Sequence, residues 1–204
     1  MTLESKTAKI FPIPVRNFKL PSLTESKIAE IINIIDNECT WNEWSDNSLR
    51  ASWTNEQNIL EDPRLKDVKE EVIEAFNIFK NEENHRCGEI KIMCSWANKL
   101  KKGEHIIPHM HQNSYLAATI HLSKGSNLVL QHPTVYDRYG VDFDEKDIIP
   151  AVEFPIEVGH LIMFPGKLVH AVKKQELDTP RYSLAMNGMP DFFGRPTAYV
   201  DFRK

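Results

Sequence analysis

The order of its periodic segments constrains this chain most, because helical patterns come first and only short strand patterns follow. Apolar residues at three-to-four spacing predict amphipathic helices over 23–37 and 63–80. Ser22 and Glu25 have the spacing of a capping box and predict the start of the first helix. Both helices precede residue 88, where the pattern changes.

From about residue 88 the chain consists of short alternating segments. Ile90, Ile92, Cys94 and Trp96 alternate with polar or small residues, which predicts a strand with these four on its buried face. Turn residues separate further strand candidates at 115–122, 127–131, 151–155, 160–164, 167–173, 181–187 and 197–203. Helices followed by many short antiparallel strands predict helices packed on a sandwich or an open barrel.

Composition and charge exclude several functional classes. The formal net charge of −4 argues against a dedicated nucleic-acid binder, which needs clustered Lys and Arg to neutralise phosphates. No apolar run approaches the roughly 18 residues of a membrane span, so no membrane association is expected. The 3 cysteines form no C-x-x-C pair and favour a reducing, cytoplasmic location.

The histidines are the candidates for chemistry. His109 and His111 are two residues apart where a strand is predicted to begin, so both imidazoles project from one face and can converge on one metal ion. A pair of exposed loop histidines is the alternative. His170 follows the turn at Pro165–Gly166 on an apolar strand, where it is either a third ligand or a structural histidine with a polar partner.

Arg181 and Ser183 share one face of a strand that is predicted to lie antiparallel to the strand bearing His170. A guanidinium offers a planar, permanently charged fork for a carboxylate, and a hydroxyl adds a donor. An Arg on an otherwise apolar strand needs an anion, which is either a ligand carboxylate or an Asp or Glu of the chain itself.

Taken together, these elements resemble the Fe(II)- and 2-oxoglutarate-dependent oxygenases, whose jelly-roll core carries H-x-D/E, a later His and Arg-x-Ser. More narrowly, the chain is similar to a family of small bacterial and phage oxygenases of this type. The shared positions are Ser95–Asn98, Gly103, Pro108–His111, Ser114, His132–Pro133, Gly159, Phe164–Pro165, His170, Arg181–Ser183 and Asn187.

The resemblance implies a fold and a set of site residues. The fold would be a cupin-like double-stranded β-helix, or jelly roll, with two N-terminal helices packed on it, α+β overall. One domain, 1–204, would comprise a helical support region at 1–87 and a jelly-roll core at 88–204. The implied metal ligands are His109, His111 and His170, all three also catalytic. The implied cosubstrate-binding residues are Arg181, also catalytic, and Ser183, with Asn98 and Tyr115 as secondary candidates.

One position departs from the wider pattern. The superfamily has a carboxylate two residues after the first His, where this chain has His111, although the narrower family also shows His-x-His. Either His111 is a ligand, or it only supports the site and an acid such as Asp137 completes it. Asp137 lies in the long segment 132–149, which is predicted to be a lid.

The activity implied by the resemblance is oxidative decarboxylation of 2-oxoglutarate to succinate, coupled to hydroxylation of a peptidyl residue or a small metabolite. Its cofactors would be Fe(II), 2-oxoglutarate as a small-molecule cosubstrate, O2, and ascorbate as a reductant. The alternatives are a cupin-like three-histidine iron dioxygenase that does not use 2-oxoglutarate, and a non-enzymatic jelly-roll binding module. The other histidines, including His121 at the end of a strand, are expected to have surface or structural roles. No oligomeric state follows from the sequence.

Overall fold

The structure is a computed structural model that describes residues 13–43, 52–132, 151–195 and 198–201. Its α-helices are α1 (Glu25–Asn37) and α2 (Lys66–Glu82), and two short 3-10 helices at Ile59–Glu61 and Pro63–Leu65 precede α2. Its strands are β1 (Arg16–Lys19), β2 (Trp41–Glu43), β3 (Ser52–Thr54), β4 (Ile90–Leu100), β5 (Ile106–His109), β6 (Leu116–His121), β7 (Leu128–Gln131), β8 (Ala151–Phe154), β9 (His160–Pro165), β10 (His170–Val172), β11 (Arg181–Pro190), β12 (Phe192–Arg195) and β13 (Ala198–Asp201).

Two antiparallel sheets and a hairpin contain these strands. The larger sheet has the order β1-β9-β6-β11-β4-β3-β2, the smaller has the order β5-β10-β7-β8, and β12 pairs with β13. One apolar cluster joins both helices to the larger sheet, and a second cluster lies between the two sheets. The molecule is therefore layered as helices, large sheet and small sheet, which confirms the predicted all-β core with two helices packed on it.

The helices form where the apolar periodicity predicts them, but the start of α1 differs. The side chain of Thr24 caps this helix, since its Oγ1 accepts a hydrogen bond from the Lys27 N–H at 3.2 Å. Ser22 instead donates through its N–H and its hydroxyl to the Glu71 carboxylate of α2. The predicted capping box is therefore wrong. Neither helix in the described residues is long and apolar enough to cross a membrane.

The segment 1–87 contributes strands as well as helices. β1 pairs with β9, and β3 pairs with β4, so this segment extends the large sheet at both edges. These short strands carry no run of alternating residues long enough to be predicted from the sequence. The sheet is thus continuous across the predicted division between a helical region and a β core.

A bulge in β4 changes which side chains face inward. The predicted alternation over 90–97 places Trp96 on the same face as Ile92. The register between β4 and β11 shifts at Met93, and beyond that point Ala97 joins the helix-side core. Trp96 therefore turns toward the space between the sheets, because one extra residue reverses the inward-facing set.

The strands that carry His170 and Arg181 also pair differently from the prediction. β9 belongs to the large sheet and β10 to the small sheet, so the turn after Pro165 carries the chain from one sheet to the other. β11 pairs with β4 and β6, not with β10. The predicted antiparallel neighbourhood of these two strands is wrong, and they instead lie on opposite sides of the interior.

Candidate active site

Three histidines converge at one end of the space between the sheets. His109 is the last residue of β5 and His170 the first of β10, and the two are direct partners in the antiparallel register. The expectation that His109 begins a strand is wrong, and His111 lies just beyond the end of β5. The ring centroids are nevertheless 4.2 Å apart for His109 and His170, and 4.8 Å apart for His111 and His170.

The hydrogen bonds of these rings define their tautomers. Nδ1 of His109 and Nδ1 of His170 each lie 2.9 Å from the backbone carbonyl oxygen two residues earlier. Nδ1 of His111 lies 2.5 Å from Oδ1 of Asn187. A carbonyl oxygen only accepts, so each Nδ1 carries the proton and each neutral ring keeps its lone pair on Nε2. Such bonds on the far nitrogen are typical of metal-binding histidines.

Two of the three histidines, His111 and His170, are held in the neutral form that a metal requires. Burial lowers the pKa of His170 to about 3 and also lowers the pKa of His111. One possible ligand atom from each of the three residues lies within 4.8 Å of the other two. The described ranges contain no other group of this kind. Three imidazole nitrogens are a donor set that suits Fe(II) among other divalent transition metals.

A cavity of about 420 Å³ connects the histidines with the predicted carboxylate clamp. It contains His109, His111, His170, Arg181, Ser183 and Asn98. The rest of its lining is mainly apolar and aromatic: Trp53, Gln57, Trp96, Ile106, Ala118, Thr119, Leu128, Phe164, Val172 and Ala185. The fold thus brings six of the predicted site residues into one apolar space, as is usual for ligand sites.

Arg181 is the charged group of this cavity in the described residues. Its side chain is 1% exposed, and its Nε donates to the Ser126 carbonyl oxygen at 3.1 Å. Nη1 donates to the Ser183 hydroxyl at 3.0 Å, and Nη2 lies 3.2 Å from Nδ1 of His121. Burial lowers the pKa of Arg181 only to about 10, so the guanidinium stays charged at neutral pH.

No Asp or Glu of the described residues forms an ion pair with Arg181, so the salt-bridge alternative is not found there. A guanidinium has five N–H donors. Three of them are used by described residues, which leaves one donor on each Nη that no described residue uses. A buried cation with two such donors is suited to a carboxylate ligand.

Of the two secondary candidates for cosubstrate binding, Asn98 lines the cavity and Tyr115 does not. Asn98 lines the cavity and lies opposite Ser183 in the β4–β11 register. Tyr115 is not among the lining residues. Its hydroxyl pairs with Nδ1 of His85, and its ring contacts Phe193, so its predicted cosubstrate role is not supported. Asp137 lies outside the described residues, as does all of the predicted lid at 132–149 except His132.

The partners of Arg181 were not predicted from the sequence. His121 was expected to be a surface or structural residue, yet it is fully buried beside the guanidinium. Ser126 contributes only a backbone oxygen, which no side-chain pattern can indicate. The available signal for His121 was a titratable side chain at the end of an otherwise apolar strand.

Comparison with protein families finds one family whose pattern matches part of this chain. Residues 94–187 match the family described as "Putative 2OG-Fe(II) oxygenase", and this segment contains the three histidines, Arg181 and Ser183. The family resemblance predicted from the sequence is confirmed by this match and by solved structures that share the fold. The match spans slightly less than half of the chain. No curated protein matches the sequence.

Solved structures share the fold at low sequence identity. The α-ketoglutarate-dependent epimerase SnoN from nogalamycin biosynthesis is 12% identical with a TM-score of 0.64, covering 88% of this chain and 79% of that one. A prolyl-4-hydroxylase from Pseudomonas putida is 12% identical with a TM-score of 0.61, covering 87% and 93%. HygX from Streptomyces hygroscopicus, with nickel and 2-oxoglutarate bound, is 8% identical with a TM-score of 0.60, covering 93% and 92%.

Proposed function

We propose that this protein is a 2-oxoglutarate- and Fe(II)-dependent dioxygenase that hydroxylates a peptidyl residue or a small metabolite. One observation carries the proposal. A buried guanidinium with two donors that no described residue uses shares an apolar cavity with three imidazoles whose ring nitrogens converge. The first group suits a dicarboxylate and the second suits a metal, and this class of enzyme needs both.

His109, His111 and His170 would hold Fe(II) through Nε2. Their Nδ1 protons already have acceptors, so metal binding requires neither a tautomer change nor a deprotonation. With Fe(II) and 2-oxoglutarate bound, the site would supply the oxidising power for C–H hydroxylation, consuming O2 and releasing succinate and CO2. In this proposal His111 takes the position of the usual carboxylate.

Arg181 would bind the distal carboxylate of 2-oxoglutarate through its two unused donors. Ser183 orients Nη1 with its hydroxyl, and Asn98 faces the same space from the neighbouring strand. The apolar wall around the ligands would be formed by Ile106, Leu128 and Phe164. Such a wall excludes water and strengthens the electrostatic contact between guanidinium and carboxylate.

The substrate is proposed only by class, as a peptidyl residue or a small metabolite. Structurally similar proteins include a prolyl-4-hydroxylase and HygX with hygromycin B bound, so the fold accommodates both peptidyl and small-molecule substrates. Ascorbate as a reductant and a cytoplasmic location belong to the same proposal. All three cysteines are free thiols, which supports a reducing environment.

A three-histidine iron dioxygenase that does not use 2-oxoglutarate is the second candidate. The donor set favours it, because the group of possible ligands in the described residues contains three imidazoles and no carboxylate. Arg181 favours the first candidate. It has no acidic partner among the described residues, and a dioxygenase without a dicarboxylate cosubstrate has no evident need for this buried cation.

Succinate formation tests the proposal. Purified protein would be loaded with Fe(II) without oxygen, then mixed with 2-oxoglutarate and O2, with and without a library of peptides and metabolites. We expect iron-dependent succinate that is lost in His170→Ala and retained in His105→Ala, whose imidazole lies outside the cavity. Stoichiometric iron binding without any consumption of 2-oxoglutarate would instead favour the second candidate.

A further inference from the structure

His121 is a buried titratable residue that the proposed mechanism does not yet use. It ends β6, lies opposite Ser183 in the β6–β11 register and is 0% exposed. Its Nδ1 is 3.2 Å from Nη2 of Arg181, and its Nε2 is buried without a hydrogen-bond partner in the described part of the chain. An unpartnered buried polar atom is destabilising, so its presence calls for a reason.

The contact with Arg181 determines the state of the ring. A guanidinium can only donate, so Nδ1 of His121 must accept, and the ring proton must be on the unpartnered Nε2. Burial, reinforced by the neighbouring charge of Arg181, lowers the pKa of His121 to about 3. The imidazole is therefore a neutral acceptor at physiological pH.

This acceptor limits the ways in which the guanidinium can be oriented. The Ser126 carbonyl holds Nε, the Ser183 hydroxyl holds Nη1, and His121 holds Nη2. Each of the three nitrogens is thus anchored, and each Nη keeps one donor that no described residue uses. Without an acceptor at position 121, Nη2 would lose its anchor while Nε and Nη1 kept theirs.

We propose that His121 is a positioning residue for the cosubstrate, which fixes Arg181 so that its two remaining donors meet the distal carboxylate of 2-oxoglutarate together. The inference rests on the proposed function. A leucine would fill the same apolar volume without an unpartnered Nε2, so packing alone does not explain a histidine here. The bidentate geometry of a fork and a carboxylate is sensitive to such orientation.

Calorimetric binding of two keto acids tests the proposal. 2-Oxoglutarate and 2-oxopentanoate have the same carbon chain, but only the first has a distal carboxylate for Arg181. Each would be titrated into Fe(II)-loaded protein without oxygen, for wild type, His121→Leu and His121→Asn. The Asn carbonyl oxygen occupies the place of Nδ1 and restores the acceptor, whereas Leu has none.

We expect His121→Leu to bind 2-oxoglutarate about tenfold more weakly, the loss typical of one hydrogen bond to a charged group, and 2-oxopentanoate within about twofold of wild type. His121→Asn should recover 2-oxoglutarate affinity to within about threefold. His105→Leu is the matched control, because His105 does not line the cavity, and it should leave both affinities unchanged.

Equal weakening of both keto acids in His121→Leu, or unchanged binding of 2-oxoglutarate, overturns the positioning role. If His121→Leu does not fold, His121→Gln replaces it, because its carbonyl reaches the place of Nε2 and not Nδ1. It should then bind 2-oxoglutarate about tenfold more weakly than His121→Asn. A wild type that binds Fe(II) but neither keto acid overturns the proposed function as well, so the two failures are distinguishable.

Discussion

Replacing Arg181 with methionine should remove most of the affinity for 2-oxoglutarate. The side chain is 1% exposed and has two donors that no residue in the described part of the chain uses. Hydrogen bonds to charged groups are worth about 1.5–3 kcal/mol each, so losing two should weaken binding by about 10²–10⁴-fold. Lysine keeps the charge but not the fork, and Arg181→Lys should fall between the two.

The assay is calorimetric titration of 2-oxoglutarate into Fe(II)-loaded protein without oxygen. Arg181→Met should keep its iron stoichiometry, because Arg181 is not part of the histidine group. Arg64→Met is a matched control, since that arginine is 42% exposed and paired with Glu38 and Asp62 outside the cavity. An Arg181→Met protein that is folded, binds iron and retains wild-type affinity for 2-oxoglutarate would refute this role of the guanidinium.

Three further predictions concern single positions. In an anaerobic titration, His111→Ala should weaken Fe(II) binding at least about tenfold, and Asp137→Ala should change it less than about twofold. A larger loss of affinity in Asp137→Ala than in His111→Ala would make Asp137 the ligand. Gly125→Ala should raise the KM for 2-oxoglutarate, because an added Cβ would lie 2.9 Å from Cβ and Cγ of Arg181, and an unchanged KM would contradict this packing. The pKa of His121 is lowered from 6.5 to about 3, so the unfolded chain binds its proton first as the pH falls, and stability is lost below pH 6.5. Between pH 6.5 and 5, the metal-free protein should lose about 1.6 kcal/mol more unfolding free energy as wild type than as His121→Asn. Equal losses by chemical denaturation would contradict the lowered pKa.

The fold class could be predicted because local periodicity reports which face of each element is buried. Structural details that depend on contacts between residues far apart in the sequence could not be predicted. Ser22 does not cap α1 because the Glu71 carboxylate, 49 residues away, takes its donors. The bulge at Met93 changes which side chains of β4 face inward, and no residue type in that segment predicts a bulge.

The candidate site was predictable to a similar degree. The spacing of His109 and His111, the later His170 and the Arg181–Ser183 pair are local patterns, and the family resemblance connects them. The pairing of β11 with β4 and β6 was not predictable, because a strand pattern does not specify its neighbours. His121 was missed for the same reason, since its role appears only when β6 lies beside β11.

Anaerobic Fe(II) titration, with and without 2-oxoglutarate, tests the central claim most directly. The claim is that three imidazoles and one guanidinium form a single site for a metal and a dicarboxylate. We predict one Fe(II) per chain, tighter binding of 2-oxoglutarate when iron is present, and loss of both in a variant in which His109 and His170 are alanine. Iron uptake that survives this double substitution, or 2-oxoglutarate binding that is independent of iron, would contradict the account.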